Sequence, residues 1–245
     1  MDAGGLDMGY KAWGLRPRTA PIFERISRMP DVPSEPPHFD DVFRTQLVEL
    51  FRWRRDVRRF KTDRVDDQVL DQLISAACLA PSVGLSQPWR FVIVDDPGRR
   101  QAVAEAFAAA NREALAACAP PDAALYARLK LAGLAEAPRQ LAVFADETTC
   151  VGRGLGRQTM PETLRYSVVG AITLLWLAAR AKGLGLGWVS ILDPDKVSAI
   201  LDAPVGWVLI GYFCLGYPQL EDNVPELERE GWEQRYGAEG FVFRK

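Results

Sequence analysis

The stretch GLGLGWVSIL at residues 183–192 decides between two architectures. A glycine-rich run that follows a strand and opens a helix is the phosphate-binding turn of a dinucleotide fold. Here the order is reversed. The charge-poor segment 162–182 reads as a helix before it, and residues 185–192 read as an apolar strand after it. The glycines are therefore expected to end the helix and to let backbone approach a flat ligand closely. No Walker motif is present either.

Elsewhere in the chain, three more strands are expected, at 89–96 (WRFVIVDD), 139–147 (RQLAVFADE) and 207–216 (WVLIGYFCLG). They are apolar enough to be covered on both faces, which points to a layered α/β or α+β domain. A helix is expected from Asp40, with Phe43, Leu47, Leu50 and Phe51 on one stripe, and it delivers RRDVRRF (54–60) at its end. A second helix carries Val69, Leu70, Leu73, Ile74, Ala77 and Ala80 and is expected to run to Pro81. The Ala-rich segments 98–118 and 122–136 read as a helical hairpin or lid, and a short helix is expected at 193–202. Residues 1–40 read as a proline-rich, poorly ordered arm, 41–218 as the core domain with the lid at about 98–136, and 219–245 as a polar C-terminal extension.

The composition narrows the function classes. A net charge of −2 gives no broad field for nucleic acid or an anionic membrane, so any anion site must be local. The longest uncharged apolar stretch, Tyr166 to Ala179, is shorter than the ~20 residues that a bilayer span needs. The N-terminus lacks a basic segment followed by an apolar run, and Cys78, Cys118, Cys150 and Cys214 lack C-x-x-C spacing. Free thiols in a reducing cytoplasm are the expectation, with no metal site. The single histidine, His38, lies in the proline-rich leader, so histidine-based hydrolysis and His-ligated zinc have no base or ligand. Difficult chemistry would then come from a cofactor.

Four fragments, RRDVRRF (54–60), APSVGLSQPWRFVIV (80–94), GLGLGWVSIL (183–192) and LGYP (215–218), stand in one order across nearly all of residues 42–218. This order resembles the nitroreductase-like flavoprotein superfamily. With GRQTMPETLRYS (156–167) and GWEQR (231–235), the chain is similar within it to the BluB-type, dimethylbenzimidazole-synthase branch. The resemblance implies an α+β fold with a central mixed sheet flanked by helices, built as an intertwined homodimer with FMN at the subunit interface. It also implies that reduced FMN is itself consumed with O₂, giving 5,6-dimethylbenzimidazole and a four-carbon sugar phosphate. A separate NAD(P)H-dependent reductase would supply the FMNH₂. An ordinary NAD(P)H-dependent nitroreductase or flavin reductase and a non-enzymatic FMN-binding protein stay open as alternatives.

The residues to which the resemblance points suit these tasks. Arg54, Arg55 and Arg58 supply forked donors for the FMN phosphate, or else form a solvated basic helix end. Ser82 and Gln87 can face the ribityl or phosphate oxygens from a turn, and Ser82 can equally stabilise that turn. Lys130 can contact the cofactor from the lid or stand as an exposed helical lysine. Asp56 is expected as general base or proton relay beside the ring system, against a plain ion pair with Arg55 or Arg58. Ser190 is expected at the ring's N5 region, against a buried serine satisfied by backbone. The LGYP turn is followed by no cation before Arg229, which leaves a phosphate grip from the C-terminal side without an obvious residue.

Overall fold

In a computed structural model the described residues are 35–117, 119, 123, 125, 126 and 132–245. Helix α1 spans Asp41–Trp53, and the Asp40 side chain caps it by accepting from the Phe43 N–H. Helix α2 spans Asp67–Ala77 and leads through a 3₁₀ turn, Val83–Leu85, into strand β1, Trp89–Ile93. Helix α3 spans Pro97–Ala117, and α4 spans Gly133–Glu136. After β2, Arg139–Asp146, a second 3₁₀ turn at Val151–Gly154 precedes the long α5, Thr163–Ala181. Strand β3 (Gly185–Val189), α6 (Pro194–Ile200), β4 (Trp207–Gly216) and α7 (Glu226–Arg229) follow, with a last 3₁₀ turn at Ala238–Gly240.

The sheet has the order β1-β2-β4-β3, and every pairing between these strands is antiparallel. The expected mixed character reduces, among the described residues, to one parallel bridge, Asp56 with Leu186, where the segment after α1 runs along the β3 edge. Both faces are covered. On one, Leu70 and Leu73 of α2 and Ile172 and Leu175 of α5 pack on Leu141, Val143, Leu186 and Phe213. On the other, Val103 of α3, Leu134 of α4 and Val197 of α6 pack with Phe60 against Ala142, Phe144, Val189 and Tyr212. Helix α5 buries seven residues between α2 and the sheet, and its uncharged run is core.

Three expectations need correction. Helix α2 ends at Ala77, four residues before Pro81, because Leu79 and Ala80 turn back onto the Ala76 and Ala77 carbonyls. Strand β3 ends at Val189, so Ser190 lies just beyond it rather than within it. The glycines at 183–187 divide their labour differently from the expectation. Gly183 does end α5: it has φ +71, and the Leu184 and Gly183 N–H groups close onto the Ala179 and Arg180 carbonyls. Gly185 and Gly187, however, admit the chain's own segment after α1 rather than a ligand. A Cβ at Gly187 would fall 2.1 Å from the Val57 carbonyl oxygen.

Helix α1, thirteen residues long, has no buried residue. Its Phe43, Val48 and Phe51 are exposed, as are Leu85 and Leu155 on the two 3₁₀ turns.

Candidate active site

The RRDVRRF segment leaves α1 in extended conformation and is stitched to β3. The Val57 N–H donates to the Leu186 carbonyl at 3.1 Å, and the Trp188 N–H donates to Asp56 Oδ1 at 2.8 Å. Phe60 is fully buried, and its ring fills a gap left by the missing side chains of Gly133, Gly187 and Gly216. Trp188 is oriented in turn by its indole, which occupies the space beside Gly211, where a Cβ would lie 2.4 Å from Nε1. Two elements of strand-like backbone therefore position Asp56.

Asp56 is exposed in the isolated chain, yet its carboxylate lies deep within the surrounding protein mass. Burial raises the carboxyl above the usual carboxylate range, opposed by the Trp188 N–H, Arg58 and Arg54 and assisted by Glu226. No ion pair joins Asp56 to Arg55 or Arg58 among the described residues. Arg58 instead faces Glu226, 3.8 Å away.

The arginines sort into distinct settings. The Arg54 guanidinium lies over the Trp176 ring, 4.9 Å from its centroid. Arg55 donates from Nε to the Asp222 carbonyl at 3.2 Å, while its own carbonyl accepts from Trp176 Nε1 at 2.9 Å. Burial lowers both the Arg54 and Arg55 pKa values, and the like charge of Arg235 lowers them further. The three like charges thus lie within electrostatic reach of one another, and among the described residues Arg54 and Arg235 have no carboxylate at ion-pair distance. Arg229, the first cation after the LGYP turn, is engaged by Asp222 at 3.2 Å. Arg235 is the basic residue that sequence reasoning missed. It stands in the GWEQR motif, but its distance from the turn hid it.

The other expected residues are placed less centrally. Ser82 Oγ accepts from the Gln87 N–H at 3.0 Å, the turn-stabilising role, and Gln87 is exposed at φ +45. This turn is fixed to the start of α5 by the Val83 N–H, which donates to Ser167 Oγ at 3.1 Å. The arginine cluster is fixed to Trp176, nine residues further along α5, so a rise of 1.5 Å per residue puts the two anchor points ~13 Å apart. One chain does not bring Ser82 and Gln87 together with the arginines. Ser190 is exposed in the single chain, two residues beyond Trp188. Lys130 lies outside the described residues, as do Cys118 and residues 1–34 of the expected arm. Cys78, Cys150 and Cys214 are free thiols, and among the described residues no cluster of potential metal ligands is found.

Residues 51–217 match the Nitroreductase family. The chain belongs to that family. A 5,6-dimethylbenzimidazole synthase of Rhodospirillum rubrum is 56% identical over 199 residues, which cover 81% of this chain and 94% of that protein. Among solved structures, an oxidised iodotyrosine deiodinase bound to FMN and 3-iodo-L-tyrosine superposes with a TM-score of 0.62. That match has 26% identity and covers 72% of this chain and 91% of the other. A BluB-like flavoprotein of Clostridium difficile has the same fold, with a TM-score of 0.60 at 22% identity, covering 81% of this chain and 99% of the other. The relatives of this nitroreductase-family chain thus include a 5,6-dimethylbenzimidazole synthase and an iodotyrosine deiodinase on one scaffold.

Proposed function

We propose that this protein is an aerobic 5,6-dimethylbenzimidazole synthase, which consumes reduced FMN and O₂ to make the lower ligand of cobalamin. The observation that carries this reading is the 56% identity to a curated synthase over nearly all of that protein's length. The alternative of a turnover flavin reductase is favoured by a less similar relative, an NADH dehydrogenase of Thermus thermophilus that is 32% identical over 182 residues.

The donor set fits the group it would hold. Arg54, Arg55 and Arg235 are like charges within electrostatic reach of one another, a donor set suited to a dianionic phosphate. When bound, the reduced isoalloxazine supplies both the electrons that activate O₂ and the carbon skeleton of the product. Asp56, with Oδ1 held by the Trp188 N–H, keeps Oδ2 for proton exchange, and its raised pKa brings it nearer to working pH. Ser190 offers a hydroxyl with no partner among the described residues, close in sequence to that anchor.

The assembly belongs to the same proposal. A second copy covers α1 and the exposed turns, and brings its Ser82–Gln87 turn to the arginine cluster of the first. The homodimer, in a reducing cytoplasm, receives FMNH₂ from a separate NAD(P)H-dependent reductase. The test is aerobic incubation with excess FMNH₂, followed by mass analysis for dimethylbenzimidazole and the sugar phosphate. Air oxidation that returns only intact FMN overturns the reading, as does rapid single-turnover reduction of the bound flavin by NADPH.

A further inference from the structure

Trp176 takes no part in the chemistry above, yet it touches both the segment that carries Asp56 and the strand that anchors it. It is the only indole of α5. Leu175 and Ala179 turn into the sheet and are fully buried, whereas Trp176, about 100° further round the helix than Leu175, is half-buried and meets the end of α1. Its three contacts differ in kind. The Nε1–H donates to the carbonyl of Arg55, the residue before Asp56, at 2.9 Å. The ring face takes the Arg54 guanidinium, 4.9 Å from its centroid. The ring also stands against that of Trp188, with centroids 6.3 Å apart and a tilt of 49°, and the Trp188 ring is backed by Phe213 of β4 at 5.0 Å. Trp188 completes the circuit, because its own N–H donates to Asp56 Oδ1 at 2.8 Å. Contacts therefore run from the Asp56 carboxylate to Trp188, from Trp188 to Trp176, and from Trp176 back to the peptide carbonyl that precedes Asp56.

We propose that Trp176 is a positioning residue for the Asp56 carboxylate, acting through its Nε1–H on the Arg55 carbonyl and through its ring on Arg54 and Trp188. The inference rests on the role given to Asp56 above. The peptide that joins Arg55 to Asp56 sets the direction in which the Asp56 side chain leaves the backbone, so pinning its carbonyl fixes that direction. The ring does a second task. With its guanidinium on the indole, Arg54 makes no ion pair with the carboxylate two residues on, and Asp56 keeps one oxygen for the Trp188 N–H and the other for proton exchange. A displacement of about 1 Å in such a group can cost about 10²-fold in rate, which is why its direction matters.

The test follows the Trp188 amide, whose acceptor is Asp56, by residue-resolved hydrogen exchange in the ligand-free full chain. Trp176→Phe keeps an aromatic ring and loses the Nε1 donor. A benzothiophene side chain at position 176, with sulfur in place of N–H, removes the donor alone. Both speed exchange at the Trp188 N–H by about two- to tenfold, the range of one net hydrogen bond, while the amides of buried Ile172 and Leu175 on α5 keep their rates. In an Asp56→Ala background, which lacks the acceptor, neither change speeds Trp188 further. Unchanged exchange at Trp188, an equal rise at Ile172 and Leu175, or a full further rise in the Asp56→Ala background overturns the positioning role. With FMNH₂, the benzothiophene variant makes product at least about twofold more slowly than wild type, and an equal rate overturns the role as well. Product formation by the wild-type chain is scored separately. Absence of product with Trp188 exchange dependent on Trp176 through Asp56 sinks the synthase reading and sustains the positioning; product with exchange indifferent to Trp176 does the reverse.

Discussion

The main-chain N–H of Trp188 donates to Asp56 Oδ1 over 2.8 Å, and the other carboxylate oxygen has no donor among the described residues. This division of labour makes an amide replacement informative. In Asp56→Asn the Oδ1 acceptor for Trp188 remains, so the segment stays in place, but proton exchange at the second position is lost. FMN affinity should change by less than about threefold, whereas product yield should fall by about 10²-fold or more, the usual scale of a positioned acid–base group. Yield by mass analysis beside affinity by flavin fluorescence checks both halves. Unchanged yield removes Asp56 from the mechanism.

The same variant carries a stability signature. Burial holds the folded-state Asp56 pKa above its ordinary value of 3.8, so ionisation costs the folded chain more than the unfolded one. That cost is absent below the unfolded value, develops as pH rises through the folded value, and is complete above it. In the ligand-free protein, Asp56→Asn should therefore melt higher than wild type near neutral pH, and the gain should shrink toward nothing as pH falls. Thermal melts across the acid range read this directly. A gain that grows on acidification contradicts the assignment.

How far the sequence foretold this arrangement depends on whether local chemistry or tertiary packing set each feature. Strand β4 begins at Trp207 and ends at Gly216, the bounds that its apolar run suggests, because an uninterrupted run of that kind has one stable use in a two-faced sheet. The end of α2 differs from the expectation because it is closed by a turn whose partners are backbone groups with no sequence signature. Asp56 was legible as an acid among arginines, but its anchor was not, because a main-chain N–H can belong to any residue. Arg235 was hidden for a different reason. Arg54 and Arg55, on which its charge acts, lie about 180 positions away in the chain, and only the path of the C-terminal segment brings the charges together.

Arg235 should discriminate between flavins with and without a phosphate. A charge-assisted hydrogen bond to phosphate contributes about 1.5–3 kcal/mol, or roughly 10- to 150-fold in affinity. Arg235→Ala should weaken FMN binding within that range and leave riboflavin binding nearly unchanged. Without ligand, the variant relieves the repulsion on Arg54 and Arg55 and should be no less stable than wild type. Titration with both flavins, with melts of the apo protein, separates a phosphate contact from a general loss of structure. Equal weakening of both ligands rules the contact out.

The tightest backbone approach beneath the site supports a final prediction. Gly187 has no room for a side chain, because a Cβ there would lie 2.1 Å from the Val57 carbonyl oxygen, and that carbonyl is fixed by the neighbouring bridge to Leu186. The obstacle is main chain rather than the end of a flexible side chain. Gly187→Ala must therefore push the segment carrying Asp56 and Arg58 off the β3 edge. The loss of overpacked contact alone should cost about 2 kcal/mol or more, a fall in Tm of about 4 °C or more for a chain of this size. Flavin binding should weaken together with stability, since Asp56 and the arginines move with the segment. A variant that melts like wild type and binds FMN normally would show that this crossing tolerates displacement and does not set the geometry of the site.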